Sequence, residues 1–577
     1  MRRLVVLGCS ATKRETGGKL PAIDLYDGPM YRVMRSFLRT HAWPKDLSVA
    51  VLSAEHGLIG GLTPIETYDN RMTRARATQL SQGVGKTLTQ WQPEHGRIEL
   101  VLGKNYMGAI RPSVDRLWPN VKTVQVAEGP IGMKLSYLSK TLRTSAIETG
   151  PRTVDSPSYP GRPAYFLPDW DDFVDAEFDF NRDEFSTKNR AERNEVHCSQ
   201  LVAPHRLADG ILVSLAQSFG TKGILRALEP DSAETLSPKQ VREHFGLAED
   251  QWAFGDCGAF SYVNEDNPTM SVERAVATYE LYGFDLGASV DHIPVPFIMR
   301  DGKRVELSES QRRRRVRITK ENAEAFLAAW RVRECRFHPV GIVQALSPRG
   351  YAETVAEYAE MGYRRVALGG LVPKSDAEIE AVVKAVAKKM GELRDPPWWH
   401  LMGIYRPKLQ ATFRECNVNS FDSATYFRKA WLRSDQNYMG ADGNWYAAIR
   451  VPPSHDPRTA KRLEASGVPM DEVRRLEKRA LTALKQYQSR RVGVDKCLDA
   501  VLEYDELLSR GEYSAGSMEP AYRKTLLARP WEMCNCGVCT DIGVHGLVFR
   551  GLNRNKRRGA HNTFALYQNI AICSCRP

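Results

Sequence analysis

The chain has 577 residues, 42% of them hydrophobic and 26% charged, which suits two or three globular domains and excludes a single ordinary core. Its net charge of +12 favours a polyanionic partner. No run of about eighteen apolar residues appears, so a membrane span is not expected.

In chain order, the opening MRRLVVLGCSATKRE reads as a first β-strand running into a charged turn, not as a cleaved signal, and the cytoplasm is the expected compartment. Through residue 147, the β-rich runs RRLVVLG, LSVAVLS and IELVLG alternate with helical patterns such as MYRVMRSFLRTH. That alternation predicts a small parallel α/β domain. Ligands gather outside the carboxyl ends of such strands. Here those ends carry Cys9, Ser10 and Lys13, then Ser53, Glu55 and His56, then Lys104 and Tyr106, which form either a pocket or polar caps.

Residues 148–162, ETGPRTVDSPSYPGR, are rich in Pro, Gly and Ser and read as a linker. The acidic, aromatic stretch YFLPDWDDFVDAEFDFNRDEF (165–185) is expected to pack on the domain that follows. From about residue 200, strand runs ending in polar or glycine turns alternate with helical stretches such as SDAEIEAVVKAVAKKM. The strand runs include ADGILVSLAQSF, QWAFGDCGAFSY, YGFDLGASVDH, HPVGIVQALS, RRVALGGL and WHLMGIY. This rhythm predicts a (β/α)₈ barrel, assigned with its flanks to residues 163–577.

Function in such a barrel sits just after the strands. Those turns hold Asp256, Asp291, Gln344, Gly369, Gly370 and Asp422. Any one aspartate serves equally as a helix cap, but their recurrence at successive turns points to chemistry. An Asp and a Gln match the donor and acceptor edge of a purine, and glycine amides can reach its carbonyl. Phe260 and Met402 are placed to sandwich the ring. A second Asp can attack the sugar carbon and a third carboxylate can move the proton of the base, so that two displacements exchange one base for another.

Of eleven cysteines, six are scattered (Cys9, Cys198, Cys257, Cys335, Cys416, Cys497) and five crowd into the last 44 residues. That distribution suits reduced thiols plus a local metal site at Cys534, Cys536 and Cys539. Basic clusters at 311–317 (QRRRRVR), 474–491 and 554–558 (RNKRR) read singly as solvated faces and together as a nucleic-acid surface. The first and last of these are expected to grip phosphates.

The ordered set GDCGAFS, ASVDH, GIVQ, LGGL, LMGI and FDSA resembles the signature turns of the tRNA-guanine transglycosylases over roughly residues 195–570. The resemblance implies that Asp422 is the nucleophile and Asp256 the general acid/base. It implies base reading by Asp291, Gln344 and the Gly370–Leu371 backbone, with Phe260 and Met402 stacking. It also implies a structural Zn²⁺ held by Cys534, Cys536, Cys539 and His561, the downstream His-Asn context favouring His561 over the rivals His545, Cys573 and Cys575. The sequence departs from that family at Cys257-Gly258-Ala259-Phe260-Ser261, where Ser-Gly-Gly-Phe/Tyr-Gln is usual, and at His292.

Residues 166–180 (FLPDWDDFVDAEFDF) and the N-terminal set VVLGCSATK, DLYDGPMY, LSAEHGLI and ETYD are more similar to a divergent branch. That branch is the DpdA-type DNA-guanine transglycosylases of bacterial and phage 7-deazaguanine systems, with a YaaA-related N-terminal domain for which the resemblance implies a DNA-binding role. This resemblance implies replacement of guanine in double-stranded DNA by a free 7-deazaguanine base such as 7-cyano-7-deazaguanine. A homodimer and helper proteins of the modification system are further partners such kinship allows. Three other readings compete: a tRNA-guanine transglycosylase, a hydrolytic glycosylase, and a non-catalytic nucleic-acid-binding barrel.

Overall fold

The computed structural model describes residues 2–14, 19–38, 41, 43–44, 46–144, 156–169, 172–188, 195–216, 240–432, 435–456, 468–508 and 518–573. Most of the expected linker, 145–155, lies outside them, as does Cys575, and nothing is described of the Cys573 side chain.

The N-terminal sheet has five strands in the order Gly57–Gly60, Leu47–Ser53, Arg2–Gly8, His95–Val101, Val124–Val126. All pairings are parallel except that of the edge strand Gly57–Gly60, which returns antiparallel to Leu47–Ser53. The central strand is buried from Arg3 to Gly8 because helices cover both faces, which is why it reads as an unbroken apolar run. Helices Arg74–Trp91 and Lys104–Leu117 pack on one face, and Pro29–Leu38 and Ile131–Arg143 on the other.

The second unit is a closed barrel of eight parallel strands. In chain order they are Ala164–Pro168, Gly210–Ser214, Trp252–Asp256, Leu286–Ala288, His338–Val343, Arg365–Leu368, Trp398–Leu401 and Ser420–Asp422. The eighth pairs with the first, which closes the ring. The barrel therefore begins within the acidic stretch at 164, ahead of the alternation that starts near 200. Phe166, Leu212, Phe254, Leu286, Val340 and Ile342 fill its interior. Serines start the outer helices by accepting a backbone N–H at the first turn: Ser271 before Val272–Tyr282, Ser308 before Glu309–Arg333, Ser347 before Pro348–Met361 and Ser375 before Asp376–Glu392. Ser308 and Ser375 complete capping boxes with Gln311 and Glu378. These caps set each helix start directly after a strand-end loop.

The small domain docks on the barrel's flank. Leu20, Ile23 and Tyr31 share a core with Tyr279, Phe326 and Phe337. Arg333 pairs with Asp24 at 2.9 Å, and Arg336 Nη1 donates to the His41 carbonyl at 3.2 Å. Arg333 ends one barrel helix and Arg336 lies in the turn before the next strand, so the contact is toward the end opposite the mouth. No described helix is long and apolar enough to cross a membrane.

Candidate active site and metal cluster

Every strand-end residue singled out in the barrel falls at the carboxyl end of its strand. Asp256 and Asp422 are the last residues of the third and eighth strands. Gln344, Gly369 and Met402 come directly after the fifth, sixth and seventh, and Asp291 just past the fourth.

Asp291 and Gln344 are one buried unit. Gln344 Nε2 donates to Asp291 Oδ2 at 2.8 Å, and Cys257 Sγ donates to Asp291 Oδ1 at 3.2 Å. Gln344 Oε1 is buried with no hydrogen-bond partner among the described residues, so an acceptor stands ready for an incoming donor. The diglycine seats this amide. A Cβ at Gly369 would fall 2.3 Å from Gln344 Nε2, and one at Gly370 2.5 Å from Oε1. Gly370 also has φ +69°, a left-handed conformation that a side chain would strain. The Leu371 side chain is fully buried in the core, leaving only its backbone for recognition. Phe260 sits on the short turn Ala259–Tyr262 and is 63% exposed, and Met402 is half-buried against the interior cluster.

The carboxylates differ in environment. Burial, then the charges of Asp291 and Asp422, pushes the Asp256 carboxyl up to about 8. Burial also raises Asp291, with the Gln344 and Cys257 hydrogen bonds opposing. Asp422 Oδ1 accepts the Gly403 N–H at 2.7 Å and lies 3.0 Å from His400 Nε2. His400 Nδ1 is 2.7 Å from Ser420 Oγ. A carboxylate can only accept, so His400 donates from Nε2 and, when neutral, takes the Ser420 hydroxyl proton at Nδ1. This relay was not anticipated. Its signal was a histidine at a position of WWHLMG that the strand's alternation turns toward the barrel interior, beside Trp398.

Cys534, Cys536, Cys539 and His561 are all buried and mutually within 4.8 Å. The three sulfurs lie 3.6, 3.5 and 3.2 Å from His561 Nδ1. Metal–donor bonds of about 2.0–2.3 Å in a tetrahedron give donor separations of about 3.3–3.7 Å, so the set fits a metal such as zinc. His561 Nε2 donates to the Met439 carbonyl at 2.6 Å, which aims Nδ1 at the sulfurs. His545 is not in the cluster; it packs against Phe180 instead.

The cluster at 554–558 corrects the expectation of a phosphate grip, and the one at 311–317 corrects it at Arg315 alone. Arg554, Lys556, Arg557 and Arg558 are buried on the helix Gly551–Cys573. Arg550 and Arg554 pair with Asp183, while Lys556 and Arg557 donate to the carbonyls of Phe173 and Asp175. Buried cations need such acceptors, and this run clamps the acidic segment to the metal subdomain. Likewise, Arg315 is buried and donates to the carbonyls of Val263 and Ile293, and Arg314 to Asp266. They tie down the loops carrying Phe260 and Asp291. Arg313, Arg314 and Arg317 of the cluster at 311–317 stay exposed, and the third cluster, on Met470–Gln488, presents a basic face at Arg474, Arg475, Lys478 and Arg479.

In the small domain, Cys9 Sγ lies 3.1 Å from the Tyr106 hydroxyl, and Ser53 Oγ 2.9 Å from that of Tyr68. Lys13 stands 4.2 Å from the Tyr68 ring centroid. Ser53 also accepts the N–H groups of Glu55 and His56, a capping role.

Fold and mouth together define a (β/α)₈-barrel protein with a carboxylate-lined site and a buried Cys₃His cluster. Residues 4–140 match the model of a family of unknown function (DUF6884). Over 410 residues the chain is 34% identical to a DNA-guanine transglycosylase from Salmonella montevideo, spanning 70% of this chain and 96% of that relative. The chain belongs to the DNA-guanine transglycosylases, base-exchange glycosyltransferases.

Proposed function

We propose that this protein exchanges guanine in double-stranded DNA for a 7-deazaguanine base, such as 7-cyano-7-deazaguanine, through a covalent Asp422–sugar intermediate. The observation that carries the reading is the contrast between two carboxylates at one mouth. Asp256 is held protonated near neutrality, while Asp422 is oriented by the Gly403 N–H and His400.

The target nucleotide must leave the duplex to reach a barrel mouth, at a cost of a few kcal/mol. The exposed basic face of Met470–Gln488 offers phosphate contacts that offset it. The Asp422 carboxylate attacks C1′ of the sugar. As the C1′–N9 bond breaks, guanine takes the proton of the Asp256 carboxylic acid at its leaving nitrogen. The Asp256 carboxylate then removes a proton from the incoming base, whose nitrogen displaces Asp422 from C1′, so two inversions restore the configuration. Gln344 Oε1 and Asp291 read the donor edge of the base, and the backbone of Gly370–Leu371 its carbonyl. Phe260 and Met402 stack on the ring. Cys534, Cys536, Cys539 and His561 would hold a Zn²⁺ with four protein ligands, which would support the fold and take no part in exchange.

The test is incorporation of labelled 7-cyano-7-deazaguanine into duplex DNA and bulk tRNA offered in parallel, with Asp422→Asn as control. Label in DNA that is lost with the variant, together with loss of the protein–DNA adduct, is the expected result. Label confined to tRNA overturns the DNA assignment, and an adduct that persists in Asp422→Asn overturns the nucleophile.

A further inference from the structure

We propose a second metal site, built from Asp172, His197 and Cys198, which takes a divalent cation of the zinc class. It lies in the segment between the first and second barrel strands, apart from the mouth carboxylates and sharing no donor with the Cys₃His cluster.

All three side chains are almost completely excluded from solvent, at 0%, 1% and 0% exposure. Their donor atoms are mutually within 4.8 Å. His197 Nε2 is 3.5 Å from Asp172 Oδ2, and Cys198 Sγ is 4.0 Å from the same oxygen. A tetrahedral metal requires about 3.3–3.7 Å between donors; the His197–Asp172 pair already stands at that spacing and the Cys198–Asp172 pair a few tenths of an ångström beyond it. The Cys₃His cluster spans 3.2–3.6 Å by the same measure.

His197 gives the independent sign of a ligand. Its Nδ1 lies 2.7 Å from Ser199 Oγ and accepts the Ser199 N–H at 3.4 Å, while its buried Nε2, 3.5 Å from Asp172 Oδ2, has no hydrogen-bond partner among the described residues. Metal-binding histidines show this division: one nitrogen oriented by a neighbour, the other aimed at the ion. The rings of Phe173 and Phe245 wall the imidazole edge-on at 5.4 and 5.1 Å, which keeps bulk water from that nitrogen. A thiolate, an imidazole and a carboxylate suit a borderline cation and not calcium or magnesium. Three protein donors leave a fourth position for a water or the second Asp172 oxygen.

The placement gives the ion a structural task. Asp172 and Cys198 stand at the two ends of the excursion between strands one and two. The ends are joined by the short antiparallel pair Phe173–Val174 and Val196–His197 and by a Cys198 N–H to Asp172 carbonyl bond of 3.0 Å. Four ladder residues hold such a neck weakly. A shared ion cross-links it where the chain leaves the barrel mouth.

The experiment is a metal count on the purified full-length chain after dialysis against metal-free buffer. Two equivalents of divalent metal per chain are expected, falling by one in Cys198→Ala and in His197→Gln, and by one, independently, in Cys534→Ser. One equivalent in the wild type overturns the site, as do two equivalents that survive Cys198→Ala and His197→Gln. Because those variants can misfold, cobalt loading of the wild type supplies a second reading. Two sequential equivalents with distinct ligand-field spectra, one of a single-thiolate site, are expected. Saturation at one equivalent refutes the proposal.

Discussion

His400 touches no solvent and sits among the rings of Phe166, Phe254 and Trp398, yet its Nε2 reaches the Asp422 carboxylate. His400→Phe keeps the aromatic packing and deletes the donor. Asp422 Oδ1 then retains only the Gly403 N–H. A hydrogen bond to a charged group contributes about 1.5–3 kcal/mol, and about 1.4 kcal/mol is tenfold in rate. If the bond is needed to aim the carboxylate at C1′, kcat should fall by about 10- to 150-fold, with DNA affinity unchanged. Single-turnover exchange of labelled guanine separates the two, and the rate of adduct formation should fall with it. His400→Gln, whose terminal amide can replace the Nε2 donor, should recover most of the rate. A His400→Phe enzyme that forms adduct within twofold of wild type at unchanged melting temperature refutes the relay and makes His400 a packing residue.

Exchange should decline above about pH 8 as Asp256 loses the proton it gives to the leaving base, read in the wild-type pH–rate profile, and Asp256→Asn should abolish turnover at every pH. The same shift sets a stability slope. From about pH 4 to about pH 8, native Asp256 holds a proton that the unfolded chain has released, so stability falls across that window, and Asp256→Asn should flatten the denaturation curve taken against pH. Gly370→Ala puts a Cβ against the Gln344 amide and strains a left-handed backbone, so KM for the incoming base should rise at least tenfold, by competition with labelled base, and the melting temperature should fall. Arg558→Ala removes a buried guanidinium that donates to the carbonyls of Gly546, Val548 and Ala430, and should cost about 3 kcal/mol in chemical denaturation, against under 1 kcal/mol for exposed Arg475→Ala.

Periodicity pointed to the barrel from about residue 200, but not to its first strand, Ala164–Pro168, which lies in the acidic stretch. The strands it did mark are short apolar runs followed by polar or glycine turns, and local pattern carries that information. Position along the chain likewise marked Asp256, Asp291, Gln344, Gly370 and Asp422, because in this fold a strand's last residue is already at the mouth. The Cys₃His donors were legible from tight cysteine spacing plus kinship. Charge was read less well. Arg315 and the run at 554–558 look like phosphate grips in one dimension, but whether an arginine meets water, a phosphate or a carbonyl depends on what packs over it. The acidic segment that covers 554–558 lies more than 360 residues away.

The order of elements, the mouth residues and the two-unit plan were determined by the sequence itself, because helix and strand periods and strand-end positions are local properties. Tertiary structure alone decided which polar groups meet: His400 with Asp422, Gln344 with Asp291 over the diglycine, Arg554 with Asp183, and Asp172 with His197 and Cys198. It also decided that the small domain docks opposite the mouth, through Asp24 and Arg333. Hydrogen bonds and ion pairs act over a few ångströms, and closing a barrel brings to that distance residues that no local pattern connects.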